Sequence, residues 1–345
     1  MKLCSLLFLF LASSGSLHST PLSEKSFPLR GLPSEHKMIQ KLPARVVELT
    51  GTASYINPTK QNIDKMIHHF TVPAAAEDYQ ILLSVTTIGV EQAQWLEHKN
   101  KVDHYLKLTF ALPAQKTLSI QVTYRLLIIP VDYNGLLDEN ALTENYAVPI
   151  GSYLLPSKHI ESEAPPFIRL ARQWQKKNSS ALSLAKRAYE FPARHLKFAP
   201  QTKSLGALKA YQSRKGDCTE YSSLFCALSR ALSLPARQYS VFSMGDQTER
   251  SWSMPNHTLA EVYLKPVGWL PIDPNLSFGK YTNKHSFGKT ADNIIYFQHE
   301  GAWVWGNHLP QKTPPKSLIK TKVSWHARVL ASGPAEMMFL RYNTY

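Results

Sequence analysis

Lys215-Gly216-Asp217-Cys218-Thr219-Glu220-Tyr221-Ser222-Ser223-Leu224-Phe225-Cys226-Ala227-Leu228 reads as a tight turn that delivers a cysteine onto the start of a helix. Gly216 permits the backbone angles of a tight turn, and Asp217 is a residue type that accepts hydrogen bonds from the orphan N–H groups of a helix start. Tyr221, Leu224, Phe225, Leu228 and Leu232 recur at three- and four-residue spacing, so the helix has a buried face and runs to Leu234-Pro235. Cys218 sits at the positive end of that helix dipole, where the reactive thiolate is favoured over the thiol. Glu220 is favourable to the same dipole and is assigned no chemical role.

A cysteine nucleophile needs a base within hydrogen-bond reach, and the base needs a group that orients it. Downstream, Arg237 to Ser243 reads as a strand, and a polar loop containing Trp252 and Pro255 leads to a second strand, His257 to Leu264. A short Lys-Pro-Val-Gly turn joins that strand to Trp269-Leu270-Pro271-Ile272-Asp273-Pro274, which makes an antiparallel hairpin. His257 and Asp273 are the candidate base and orienting group. His257, Leu259 and Glu261 share one strand face; Asp273 joins it only opposite an odd-numbered residue, which requires an odd-length turn or a bulge.

Outward from this segment the texture changes twice. Residues 166–280 carry helical patterns, with Phe167, Leu170, Ala171 and Trp174 on one face, then Leu182, Ala185 and Tyr189, then Leu205, Leu208 and Tyr211. Before them, residues 132–165 are a proline-containing connector. Residues 44–131 hold short β-branched, often alternating runs, such as Arg45 to Thr50 and Leu118 to Tyr124, broken by Asn-Pro and Pro-Ala turns; they predict an all-β sandwich. Residues 281–345 carry strand-like pieces around Ile294 to Phe297, Val323 to Leu330 and Met337 to Tyr342, read as a C-terminal β extension that either extends the sheet or forms a small β appendage. The fold class expected is α+β, with a β-sandwich before a helix-and-sheet core.

The N-terminus has the order of a secretory signal over residues 1–19: Met1-Lys2, an apolar run from Leu3 to Ala12, then small and polar residues. About ten apolar residues are too few for a comfortable membrane span, so no integral span is expected after signal removal. Residues 20–43, rich in Pro, Ser and charge, read as a linker or arm. Cleavage removes Cys4 and leaves Cys218 and Cys226 in an exported, periplasmic or secreted protein. On one helix they are separated by a rise of about 12 Å, beyond the Cα separation of about 7 Å that a disulfide tolerates. They are therefore expected unpaired, and a free thiol in an oxidising compartment asks for a reason, of which catalysis is the commonest.

The chain of 345 residues has a formal charge of +14, spread without a long basic run. That favours anionic surroundings such as an envelope surface and gives no specific argument for nucleic acid. No CxxC pair, HExxH motif, phosphate loop or Gly-x-Ser-x-Gly elbow occurs, and pairs such as His68-His69 read as surface residues, so neither metal nor cofactor is called for.

The strings GDCTEYSSLFCALSRALSLPAR, HTLAEVYL and GWLPIDP resemble the bacterial branch of the transglutaminase-like superfamily, with its papain-like core, over about Ala164 to Ser277. The preceding β region resembles the immunoglobulin-like domain often found before that core. The resemblance implies a Cys218-His257-Asp273 triad acting on peptide or protein amides through a thioacyl intermediate. It departs at Leu259, where the family commonly has Trp. Gln212, six positions before Cys218, has the spacing papain-like enzymes use for a side-chain oxyanion donor; the backbone N–H of Cys218 is the other candidate. The function expected is that of an exported peptidase or amidase. The alternatives are a protein-glutamine γ-glutamyltransferase that cross-links proteins and, in another class, a non-catalytic envelope or surface-binding protein.

Overall fold

The structure, a computed structural model, describes residues 19–21, 32, 43–74, 79–137, 150–175, 180–265, 267–275, 287–300, 306–310 and 314–342. The signal reading and most of the arm reading therefore fall outside the described residues. The first part of the chain supplies strands β1 (Ser19–Pro21), β2 (Ala44–Ile56), β3 (Ile63–Thr71), β4 (Gln80–Ile88), β5 (Gln92–Glu97), β6 (His104–Leu112) and β7 (Thr117–Ile128). The middle supplies α1 (Pro165–Gln175), α2 (Ala181–His195), β8 (Lys197–Phe198), α3 (Ala207–Ser213), β9 (Lys215–Gly216), α4 (Cys218–Ala231), β10 (Ala236–Ser243), β11 (Glu249–Trp252), β12 (His257–Leu264) and β13 (Gly268–Ile272). The last part supplies β14 (Ile294–His299), β15 (Gly306–His308), β16 (Lys320–Gly333) and α5 (Ala335–Tyr342).

Apart from the short parallel pair β8-β9, these strands form two layers of a sandwich and one separate sheet. The sandwich pairs a sheet of order β1-β4-β7-β2-β16-β11 with a second of order β15-β3-β6-β5. Burial along β2 and β7 alternates, as a strand with one face on a core requires. Between the layers lie Val47, Leu49, Phe70, Leu108, Phe110 and Trp325. Trp325 lies opposite Gly51 in the β16–β2 register. A Cβ on Gly51 would come within 2.8 Å of both the Phe70 and the Trp325 rings, so the glycine makes room for this aromatic centre.

The separate sheet is antiparallel, of order β13-β12-β10-β14, and α4 packs on it with α1, α2 and α3 around the helix. Every residue of α4 from Glu220 to Arg230 is buried. The helix stops at Leu232, followed by Ser233 in the left-handed region (φ 64°) and then by Pro235, which cannot continue a helix.

Of the two readings of the C-terminal segment, its strands extend existing sheets. β14 completes the helix-packed sheet beside β10, β15 pairs with β3, and β16 enters the first sandwich sheet between β2 and β11. Two local expectations are corrected here. Glu249 to Trp252, read as part of a polar loop, forms edge strand β11, since pairing with β16 supplies its hydrogen bonds. Met337 to Tyr342, read as strand-like, lies in helix α5. Ala335, Glu336, Met337, Met338 and Leu340 are good helix formers, Met338 is the buried position, and Met338 N–H bonds to the Pro334 carbonyl at 3.0 Å.

Sandwich and sheet are joined by buried polar contacts. The Gln80 side chain donates to the Tyr296 carbonyl at 2.6 Å and accepts from the Tyr296 N–H at 2.8 Å. The Tyr79 hydroxyl donates to Glu261, which also holds Arg237 at 2.6 Å. His299 Nδ1 meets Asp103 at 2.9 Å. No helix among the described residues is long and apolar enough to cross a membrane.

Because Trp325 touches the rings of Phe70, Phe242 and Phe297, its truncation empties the centre of the sandwich. Trp325→Ala is expected to lower the unfolding free energy by about 3–5 kcal/mol, measured by denaturant titration. A loss below about 1 kcal/mol would contradict the placement of β16 in the core.

Candidate active site

The turn before α4 is built by carboxylates. Asp217 caps the helix: its Oδ1 accepts from the Thr219 N–H at 3.0 Å and its Oδ2 from the Gln201 N–H at 2.9 Å. Glu220 completes a reciprocal capping box, accepting from the Asp217 N–H at 3.0 Å, and its other oxygen accepts from Leu205 N–H at 2.9 Å. Glu220 is thus a buried organiser of the turn rather than a dipole partner alone. Burial pushes its pKa up, while the backbone donors from Asp217 and Leu205 pull it down. The residue spacing D-x-x-E was the visible signal for this box.

Gly216 has a different role from the one expected. The left-handed residue before the helix is Arg214 (φ 55°), and Gly216 lies in β9, paired in parallel with β8. A Cβ on Gly216 would sit 2.3 Å from the Glu220 Cβ, so only glycine lets the buried carboxylate close over the turn. The cap uses the Thr219 N–H, leaving that of Cys218 free of the capping interaction.

The hairpin brings the other two residues to the cysteine. Three residues separate β12 from β13, and the register pairs Glu261 with Pro271 and Ala260 with Ile272. Continued by one step, it sets Asp273 opposite Leu259, on the face that carries His257. His257 Nε2 and Asp273 Oδ2 are 2.9 Å apart. The other Asp273 oxygen accepts from the Asn275 N–H at 3.0 Å, so both oxygens are fixed. Cys218 is the other neighbour whose proximity raises the pKa of the His257 ring. With Nε2 taken by the carboxylate, Nδ1 is the nitrogen left for the thiol.

Burial disfavours a charged imidazole, but the charge and hydrogen bond of Asp273, followed by those of Cys218, outweigh it and push the His257 pKa up to about 10. A pKa raised by folding stabilises the fold fully below the ring's ordinary 6.5 and loses that contribution as pH climbs toward 10.

The remaining candidates are placed as follows. Gln212 is exposed on α3. Cys226 is fully buried in α4 and unpaired, and burial pushes its thiol well up; Cys218 is half-buried and also unpaired. Leu259 is buried opposite Tyr239. A cleft of about 460 Å³ opens near the start of α4, lined by Thr219, Thr258, Gln238, Tyr239 and Ser240 among others; neither Cys218 nor His257 lines it. It was not legible in the sequence, because its walls come from six segments spread over residues 157–300.

Residues 168–274, which contain all of α4, β10, β12 and β13, match the model of the transglutaminase-like superfamily core. The chain carries a transglutaminase-like core. An uncharacterized protein of Haemophilus influenzae is 36% identical over 116 residues, an alignment spanning 31% of that protein and 27% of this chain. The chain thus spans about a third of the length of the curated relative it matches. A candidate cysteine protease from Cytophaga hutchinsonii is 15% identical with a TM-score of 0.57, covering 84% of this chain and 92% of that one. That likeness extends beyond the transglutaminase-like core into the sandwich and concerns the fold. The periplasmic domain of TgpA from Pseudomonas aeruginosa is more distant, with 12% identity, a TM-score of 0.34 and coverage of 72% of this chain and 95% of that one.

In a nitrogen-15 NMR titration, His257 of the transglutaminase-like core is expected to remain an imidazolium above pH 8, with its midpoint near about 10. In Asp273→Ala the midpoint should fall by about one to three units, the shift a paired opposite charge accounts for. A ring that titrates near 6.5 in both proteins would contradict the pairing.

Proposed function

We propose that the protein is a thiol-dependent acyl-transfer enzyme that acts on peptide or protein amides, with Cys218 as nucleophile, His257 as acid and base, and Asp273 as orienting group. The observation that carries this reading is the His257 ring, held at 2.9 Å by Asp273, with Cys218 near enough to raise its pKa further. The fold likeness to a candidate cysteine protease agrees with it.

The chemistry follows from the placement. The Cys218 sulfur, with its proton on His257, attacks the amide carbonyl and forms a tetrahedral oxyanion. The Cys218 N–H at the helix start, with Gln212 as a candidate second donor, stabilises that charge. His257 donates its proton to the leaving nitrogen, the C–N bond breaks, and a thioester remains on Cys218. His257, now neutral, takes a proton from water as the water oxygen attacks the thioester. Breaking the C–S bond releases the acid and restores the thiolate–imidazolium pair. An amine in place of water yields a new amide, which is the cross-linking alternative. We favour hydrolysis because nothing in the sequence marks an amine-acceptor site. We also infer an exported site of action from the signal-like order of residues 1–19.

Mass spectrometry of peptide substrates incubated with the full chain, with and without a primary amine, tests the reaction class. Cleaved or deamidated peptide is expected in both samples, and Cys218→Ala should lower the rate by a factor of about 10³ or more. Amine adducts as the main product would select the cross-linking reading. Product formation unchanged in Cys218→Ala would overturn the mechanism.

A further inference from the structure

Two adjacent residues of α4, Ser222 and Ser223, are fully buried serines inside a helix. Serine is a poorer helix former than alanine. A buried serine hydroxyl has no access to water, and its local alternative is the carbonyl four residues earlier, which for Ser222 is that of Cys218. Both hydroxyls leave the helix instead. Ser222 Oγ donates to the Thr258 carbonyl on β12 at 3.1 Å, and Ser223 Oγ accepts from the Gln238 amide on β10 at 2.9 Å.

Ser222 lies one turn beyond Cys218 on the same face of the helix. Thr258 directly follows His257. The Ser222 bond therefore ties α4 to β12 one turn from the thiol and one residue from the imidazole. A second link lies nearer the helix end, where the hydroxyls of Thr219 and Thr258 meet at 3.3 Å. The apolar grip of α4, through Tyr221, Leu224 and Phe225, is non-directional. A hydrogen bond weakens steeply with distance and angle, so it is the contact that sets the offset of the helix along the strand.

We propose that Ser222 is a positioning residue that sets the separation of Cys218 and His257, with Thr219 as the outer half of the same link. This rests on the reading of Cys218 as nucleophile and His257 as its base. Such a pair is sensitive to geometry, since a displacement of about 1 Å can cost about a hundredfold in rate. Ser223 is the matched comparison. It equals Ser222 in residue type, helix and burial, but it binds β10 rather than the strand of His257. Gln238 also donates to the Thr219 carbonyl at 3.1 Å, so β10 keeps a hold on the first turn without the Ser223 hydroxyl.

The full chain is compared with Ser222→Ala, Thr219→Val and Ser223→Ala by iodoacetamide alkylation of Cys218 across pH, by nitrogen-15 titration of His257 and by denaturant unfolding. In Ser222→Ala the alkylation rate at pH 6 is expected to fall about tenfold, as a sub-ångström displacement implies. Its midpoint should move up toward the value of about 8.5 for free cysteine. His257 should titrate below its value of about 10, because Cys218 no longer helps to hold the proton. Thr219→Val, at a half-buried position where loss of a hydroxyl does not threaten folding, should show a smaller loss in the same direction. Ser223→Ala should leave both profiles unchanged, whatever it costs in stability. Unaltered profiles in Ser222→Ala and Thr219→Val would overturn the assignment, and so would an equal loss in Ser223→Ala, which marks general loosening of the helix. Failure of the catalytic reading is visible separately, as a wild-type chain that leaves peptide substrates intact while Cys218 and His257 still respond to Ser222→Ala.

Discussion

The placement of the thiol depends on one buried carboxylate. Glu220 has N–H and O–H donors for partners, from Asp217, Leu205 and Ser204, and no cation among the described residues. Burying an anion this way is unfavourable unless its oxygens are satisfied. Here the same hydrogen bonds that satisfy it also draw the loop before α3, the β9 strand and the first turn of α4 into one unit. Gly216 is required because the Glu220 side chain occupies the space a Cβ would need. The sulfur of Cys218 is thereby fixed at a helix N-terminus facing β12.

The second constraint is the seam between sheet and sandwich. The strand face that carries His257 also carries Glu261, paired to Arg237 and reached by Tyr79 from the sandwich. Gln80 binds the backbone of β14 through both ends of its amide, and Asp103 meets His299. Buried pairs of this kind are weak contributors to net stability but strongly unfavourable when half broken, so they specify one arrangement of the layers. The return of β16 between β2 and β11, and the rings of Phe242 and Phe297 against Trp325, add an apolar bond across the same seam. The sandwich is part of the scaffold that holds the hairpin.

What could be read in the sequence was local. The three- and four-residue spacing in α4, the D-x-x-E box and the odd-length turn between His257 and Asp273 each act within a few residues, and each leaves a pattern there. What could not be read was long-range. Glu249 to Trp252 is polar and half exposed, and becomes a strand only because β16 lies beside it. The apolar run at Met337 to Leu340 is compatible with either period, and its helical state follows from propensity and from packing of Met338. The reason for Gly216 was misread as a backbone angle, because a steric contact four residues along a helix is invisible until the turn is built.

The central claim is that Cys218 is activated by the ring that Asp273 holds. The most direct measurement is the rate of iodoacetamide alkylation of Cys218 at pH 6, read by peptide mass spectrometry, in the wild-type chain and in Asp273→Ala. The account predicts that Cys218 reacts about tenfold or more faster than free cysteine, which is almost wholly protonated at that pH. It predicts that most of this advantage is lost in Asp273→Ala while buried Cys226 stays unlabelled in both. A Cys218 that reacts no faster than free cysteine, at a rate indifferent to Asp273, would contradict it.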